Sequence, residues 1–139
     1  MANTPYRARY TDATARTGQR SLQLGMADLA ENRFSYSSAE QPFRIPAWRT
    51  ARLTLWYNVP ESGGDGDYGY ILLRPEGGSW RIVRIVRETT AGWTQLEVDV
   101  GHYAGQAFTL RLGMRNDGSW DGAAAVMYVD DVRLEVCVP

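Results

Sequence analysis

The sequence predicts an all-β fold of two packed sheets or a barrel, and three observations carry that prediction. Short segments alternate apolar and polar residues from end to end, turn-forming clusters rich in Gly, Pro, Asn and Asp separate them, and no stretch holds an apolar repeat of helical period. About ten strands in so short a chain need a second layer to bury their apolar faces.

Taken in order, the expected strands cover 6–10, 21–24, 33–37, 41–45, 51–59, 68–74, 80–88, 94–100, 107–115 and 124–136. The stretch SAEQPFRIPAW sets two prolines within strand-like sequence, which suits an edge strand or a crossing between sheets. In RLTLWYNV, residues Leu53, Leu55, Tyr57 and Val59 share one side, leaving Arg52, Thr54, Trp56 and Asn58 on the other. The PEGG turn should join 68–74 to 80–88 as a hairpin, and TAGW reads as the turn before 94–100. TQLEVDV turns Leu96, Val98 and Val100 inward and Gln95, Glu97 and Asp99 outward; FTLRLGMRN buries Phe108, Leu110, Leu112 and Met114 and exposes Thr109, Arg111, Gly113 and Arg115. If these three strands share a sheet, its outer face gathers Trp56, Gln95, Glu97, Asp99, Arg111 and Arg115.

Composition narrows the functional classes. At 139 residues the chain reads as one domain over its full length, 1–139, with room for an ordinary core. A formal charge of −1 gives no overall pull toward nucleic acid or anionic lipid, and the apolar runs are too short for membrane insertion. All 15 basic residues are arginine, through genome composition or through use of rigid planar donors, and lysine chemistry is excluded. His102 and Cys137 are the sole histidine and cysteine, so neither a Cys/His metal cluster nor an internal disulfide can form. The start lacks the charged and apolar regions of a secretory signal; if the natural protein is exported, Met1 marks the edge of an excised segment.

Catalytic chemistry finds little support. His102 lies in DVGHYAGQ, a turn between strands, with no nucleophile elbow or second base. Glu97 and Asp99 share a side at roughly 7 Å between Cα atoms, but glycosidases set such carboxylates in deep clefts. Sugars are bound by aromatic plates with bidentate donors and acceptors, which the inferred face around Trp56 supplies; the alternative puts Trp56 under a loop. Trp80 and Trp93, at strand starts, are expected to cap the core. Trp120 stands in the turn-rich loop NDGSWDG, suited to exposure and ligand contact, and Asn116, Asp117, Ser119 and Asp121 there are spaced loosely like a calcium loop or an ordinary turn.

The segment MYVDDVRLEVC raises its own problem. In a regular strand neighbouring side chains point to opposite faces, so either Asp130 or Asp131 should face the core, where an unpaired carboxylate is costly. A cation such as Ca²⁺ or an arginine such as Arg20 would compensate it.

With TGQRSLQLG, ARLTLWYNV, GWTQLEVDVGHYAGQAFTLRLGMRNDG and MYVDDVRLEVC in this order, the whole chain resembles the galactose-binding-domain-like jelly rolls of secreted bacterial proteins. That group includes many carbohydrate-binding modules and MAM-like domains. The resemblance implies an antiparallel β-sandwich, a jelly roll of two sheets, and a structural Ca²⁺ held by Asp131, with Asp130 as the other choice, plus oxygens from Asp12 and the 17–20 turn, Gln19 included. It implies sugar binding on a sheet face, which suits Trp56, Gln95, Glu97, Arg111 and Arg115, or at loop tips, which suits Trp120 with Asp117 and Asp121. The sequence departs from such modules in lacking a row of aromatics on one inferred surface. The expectation is a non-catalytic, extracellular carbohydrate-binding module of a larger secreted protein, contacting neighbouring domains or other proteins. The reading from a different class is a structural or adhesive domain working through its sheet edges.

Overall fold

The computed structural model describes residues 8–27, 34–47, 50–118 and 124–137. Among them nine strands form two antiparallel sheets. In chain order the strands are β1 (Arg9–Thr11), β2 (Ser21–Gly25), β3 (Phe34–Arg44), β4 (Thr50–Glu61), β5 (Tyr68–Pro75), β6 (Arg81–Val86), β7 (Thr94–Asp99), β8 (Ala107–Asp117) and β9 (Val126–Cys137). One sheet has the order β1-β2-β9-β4-β7 and the other β3-β8-β5-β6. The expected all-β sandwich is therefore the observed architecture.

Period-two alternation builds the core. Leu53, Leu55, Tyr57 and Val59 of β4 are all buried, and across the sandwich Phe108, Leu110, Leu112 and Met114 of β8 close over them. Fully burying each such side chain contributes about 1.5–3 kcal/mol, so these two central strands hold the layers together. The PEGG hairpin is present: Gly78 donates its N–H to the Pro75 carbonyl at 2.9 Å, and β5 pairs with β6.

Two expected segments, 33–37 and 41–45, are one continuous strand, β3. Pro42 does not interrupt it, because β3 is an edge strand with β8 as its single partner and a proline there breaks no inner ladder.

The shared outer face of 51–59, 94–100 and 107–115 needs correction. β4 and β7 adjoin, with Trp56 opposite Gln95 and Thr54 opposite Glu97, but β8 lies in the other sheet, between β3 and β5. The chain crosses between sheets through the 3-10 turn Gly101–Tyr103, where the Gly105 N–H donates to the Ile45 carbonyl at 2.8 Å. Alternation tells which residues face inward and does not tell which layer a strand joins. Trp56, Gln95 and Glu97 consequently occupy one outer surface of the sandwich, and Arg111 and Arg115 the opposite one.

Candidate functional site

The double aspartate sits on a β-bulge. Between the pairs Trp56↔Asp130 and Thr54↔Arg133, β9 spends one residue more than β4, and Asp131 takes a left-handed conformation with φ 52°. The flip lets consecutive side chains turn toward the same loop, so neither carboxylate faces the core. Asp130 Oδ2 accepts the backbone N–H groups of Arg16 (2.9 Å) and Thr17 (3.2 Å), while its Oδ1 accepts the N–H of Asp131 (2.8 Å). Asp131 Oδ1 accepts the Thr17 hydroxyl at 2.6 Å, and its Oδ2 meets the Arg16 guanidinium at 3.0 Å.

The compensating cation is thus Arg16, not Arg20, and it also covers Trp56, with Cζ 3.6 Å from the ring centroid. These carboxylate oxygens are engaged by N–H and O–H donors, and the Arg16 guanidinium stands where a cation would otherwise be needed. Asp12 and Gln19 are exposed, and among the described residues no group of three or more acidic, His or Cys side chains is arranged to hold a metal. Arg16 and the loop donors thus account for both aspartates without an ion.

The Thr17 hydrogen bond, reinforced by Arg16 and opposed by partial burial, holds the Asp131 carboxyl below its ordinary value of 3.8. A folded-state value below the unfolded one adds stability above the unfolded pKa of about 3.9 and loses it as pH falls through the folded value. Denaturant titrations of the wild type and Asp131→Asn should therefore differ at pH 7 and draw together only as pH falls below about 4 and through the folded value.

The opposite surface, the outer face of the β3-β8-β5-β6 sheet, carries a different chemistry. Cross-strand register sets Tyr36, Arg115 and Tyr68 in one row, Ser38, Gly113 and Tyr70 in the next, and Glu40, Arg111 and Leu72 in a third. Phe34 and Tyr36 meet edge-to-face at 5.7 Å between centroids, Tyr36 and Tyr70 lie at 6.5 Å, and Tyr70 and Tyr68 at 6.3 Å. The rings form a continuous row. Phe34 is 61% exposed and Tyr36 56%, whereas Tyr70 is 8% exposed and burial pushes its phenol above the ordinary range.

Guanidinium groups frame the rings. Arg115 lies 5.4 Å from the Phe34 ring and 5.6 Å from Tyr68, donates from Nε to the Tyr36 hydroxyl at 3.2 Å, and bonds the Gly66 carbonyl through NH1. Arg87 stacks over Tyr68 at 4.8 Å; Arg111 and Arg74 stack over Trp80 at 4.3 and 4.7 Å. Arg111 also grips Glu40, from Nε at 2.7 Å and through NH2. Each guanidinium–ring contact contributes about 0.5–1 kcal/mol at an exposed site and holds a long side chain in one geometry.

The loop that meets Arg115 is itself fixed. Asp67, 2% exposed, accepts the N–H of Asp117 at 2.7 Å and that of Gly64 at 3.2 Å. Burial raises its carboxyl pKa, and these two amides partly offset the shift. The Gly66 carbonyl is thereby set beside Arg115.

Several sequence-derived expectations change here. Trp56 lies beneath Arg16, which agrees with the loop-covered alternative, and on its surface Glu97 faces Arg52 at 3.7 Å. Trp80 is not a core cap but a plate under two arginines on the outer face. The missing aromatic row exists: Phe34, Tyr36, Tyr68 and Tyr70 supply it, and the two-residue spacings in FSYS and YGY were the signal for it. Asn116 points inward and donates to the Ala125 carbonyl at 3.0 Å, while Trp120, Ser119 and Asp121 lie outside the described residues. His102 contacts Arg81 at 3.2 Å and lies tilted against Tyr103, with ring centroids 3.9 Å apart.

A cleft of about 600 Å³ also opens on the sandwich, lined in part by Tyr10, Leu22, Phe43, Leu112, Glu40 and Asp130. It shares Glu40 with the aromatic face but none of that face's rings.

Comparison with known proteins gives the fold company. No protein-family model matches the chain. It is 27% identical over 124 residues to Bacillopeptidase F of Bacillus subtilis, taking in 87% of this chain and 8% of that protein. To Pre-pro-metalloprotease PrtV of Vibrio cholerae it is 29% identical over 132 residues, 86% of this chain and 13% of that one. The chain thus spans a small fraction of the curated relatives it matches. Among solved structures, TmCBM61 in complex with beta-1,4-galactotriose superimposes with TM-score 0.64 at 16% identity, covering 92% of this chain and 81% of that one. A family 16 carbohydrate-binding module gives 0.60 at 18% identity, covering 94% and 86%. The C-terminal family 22 module of Clostridium thermocellum Xyn10B gives 0.58 at 14%, covering 93% and 80%. At these identities the likeness establishes the fold: a jelly-roll β-sandwich of the kind carbohydrate-binding modules have.

Proposed function

We propose that this chain is a non-catalytic carbohydrate-binding module of a larger exported protein, and that the glycan lies on the outer face of the β3-β8-β5-β6 sheet. The observation that carries the reading is the ring row Phe34, Tyr36, Tyr70 and Tyr68 with Arg115 set among it. Aromatic plates stack against the C–H faces of sugars, and fixed guanidinium forks meet their oxygens. Arg111 and Arg115 keep the ligand role expected of them; Trp56, Gln95 and Glu97, on the other surface, do not share it.

Residence as an accessory domain agrees with matches confined to a small part of each peptidase, and export agrees with the carbohydrate-binding fold. Among the described residues no helix is long and apolar enough to cross a membrane. Assembly through sheet edges is the lesser reading. Ile82 is 70% exposed on edge strand β6, but the exposed Arg81 precedes it and Arg84 lies two residues on, and charged edges resist strand pairing.

A glycan array followed by titration of the best hit tests the proposal. Tyr36→Ala should weaken binding about tenfold, in line with one lost ring contact of about 1–1.5 kcal/mol, while Trp56→Ala should leave affinity within about twofold. Silence across the array, or equal losses from both variants, would overturn it.

A further inference from the structure

Resting on that reading, we infer that the glycan is anionic, a polysaccharide or oligosaccharide bearing carboxylate or sulfate groups. Arg74, Arg87, Arg111 and Arg115 all contact the rings of this face, and Glu40 is the one carboxylate in ion-pair contact with any of them among the described residues. Glu40 is engaged by Arg111 through Nε and NH2. Arg74, Arg87 and Arg115 have no carboxylate within ion-pair distance among the described residues.

The charged groups in contact with these rings are therefore mostly cations, set beside tyrosine and serine hydroxyls that both donate and accept and near the carboxylate of Asp117 opposite Phe34. A neutral sugar would leave the charges of these guanidinium groups unmatched. Carboxylate and sulfate oxygens accept exclusively, and guanidinium forks match both bidentately. The stacking of Arg87 on Tyr68 and of Arg74 on Trp80 keeps these cations extended across the sheet face, so little side-chain freedom remains to be lost on binding. The excess of cations is local, because the chain as a whole carries a formal charge of −1. A diffuse polycation effect does not account for it.

Calorimetric titration with polygalacturonate, chondroitin sulfate, neutral β-1,4-galactan and poly-glutamate separates the outcomes. The expected result is binding of at least one acidic glycan at least about tenfold tighter than galactan, weakening about tenfold between low and high salt, as screening of exposed ion pairs requires. The carboxylated and sulfated arms identify which anion is preferred. Arg87→Gln should reduce acidic-glycan affinity about fivefold or more, and Arg52→Gln, on the opposite surface, should not. Equal, salt-insensitive binding of galactan would overturn the anionic assignment and leave the carbohydrate reading standing. Binding of poly-glutamate as tight as the acidic glycans, or of no polymer at all, would overturn both.

Discussion

Asp130→Ala should lower stability by about 2–4 kcal/mol, because it removes the acceptor of the Arg16, Thr17 and Asp131 N–H groups at once. Two of these donors belong to an exposed loop that water reaches, which keeps the cost below that of three fully buried donors. The melting temperature should fall by roughly 8–15 °C, and Asp130→Asn, which retains one oxygen acceptor, should fall about half as far. EDTA should leave the wild-type melting temperature unchanged, since Arg16 supplies the positive charge that Asp131 needs. A chelator-induced drop comparable to that of Asp130→Ala would show instead that a metal holds this loop. Arg16 also stacks on Trp56, so the Asp130 variant should further raise the solvent exposure of that ring, read as a red shift in tryptophan emission.

Gly113→Val should weaken glycan binding by about 100-fold or more, the loss of two ring contacts of about 1–1.5 kcal/mol each, while the protein still folds. Gly113 stands at the centre of the aromatic face, and a Cβ built on it would lie 2.1 Å from Cζ of Tyr70. The clash falls on the ring of a side chain and not on backbone, so the expected response is that Tyr70 moves outward while the strands keep their pairing. Its departure breaks the row between Tyr36 and Tyr68, and the displaced ring obstructs the surface where a glycan would stack. Unchanged affinity in a folded variant would place the ligand elsewhere, with the cleft lined by Tyr10 and Phe43 as the next surface to test. Circular dichroism and denaturant midpoint, measured beside affinity, separate lost binding from lost structure.

The legible part of this protein is what period two encodes. Leu53, Leu55, Tyr57 and Val59 are buried as the alternation requires, and Gln95, Glu97 and Asp99 are exposed. The PEGG hairpin follows from its turn residues alone. The same rule misleads at Asp130 and Asp131, where one extra residue in β9 and a left-handed φ turn consecutive side chains the same way. A bulge is set by the partner strand and by the loop that docks on it, and neither is written in the eleven residues around it.

The candidate site was half visible. Arg111 and Arg115 were expected to bind ligand, but with the wrong companions, because strand order decides whose neighbours they are. Tyr36 and Tyr68 are 32 residues apart in the chain and become next-but-one neighbours solely because β3 and β5 both pair with β8. The sequence alone determined the all-β class, the inward and outward faces of the regular strands such as β4, β7 and β8, and the stock of rings and arginines, since these depend on local backbone geometry and on the burial of apolar side chains. Tertiary structure decided which sheet each strand joins, and with it that Trp56 is shielded by Arg16 while Phe34, Tyr36, Tyr68 and Tyr70 assemble with Arg115 on the far side. Those outcomes depend on contacts between residues distant along the chain, which a period-two pattern does not encode.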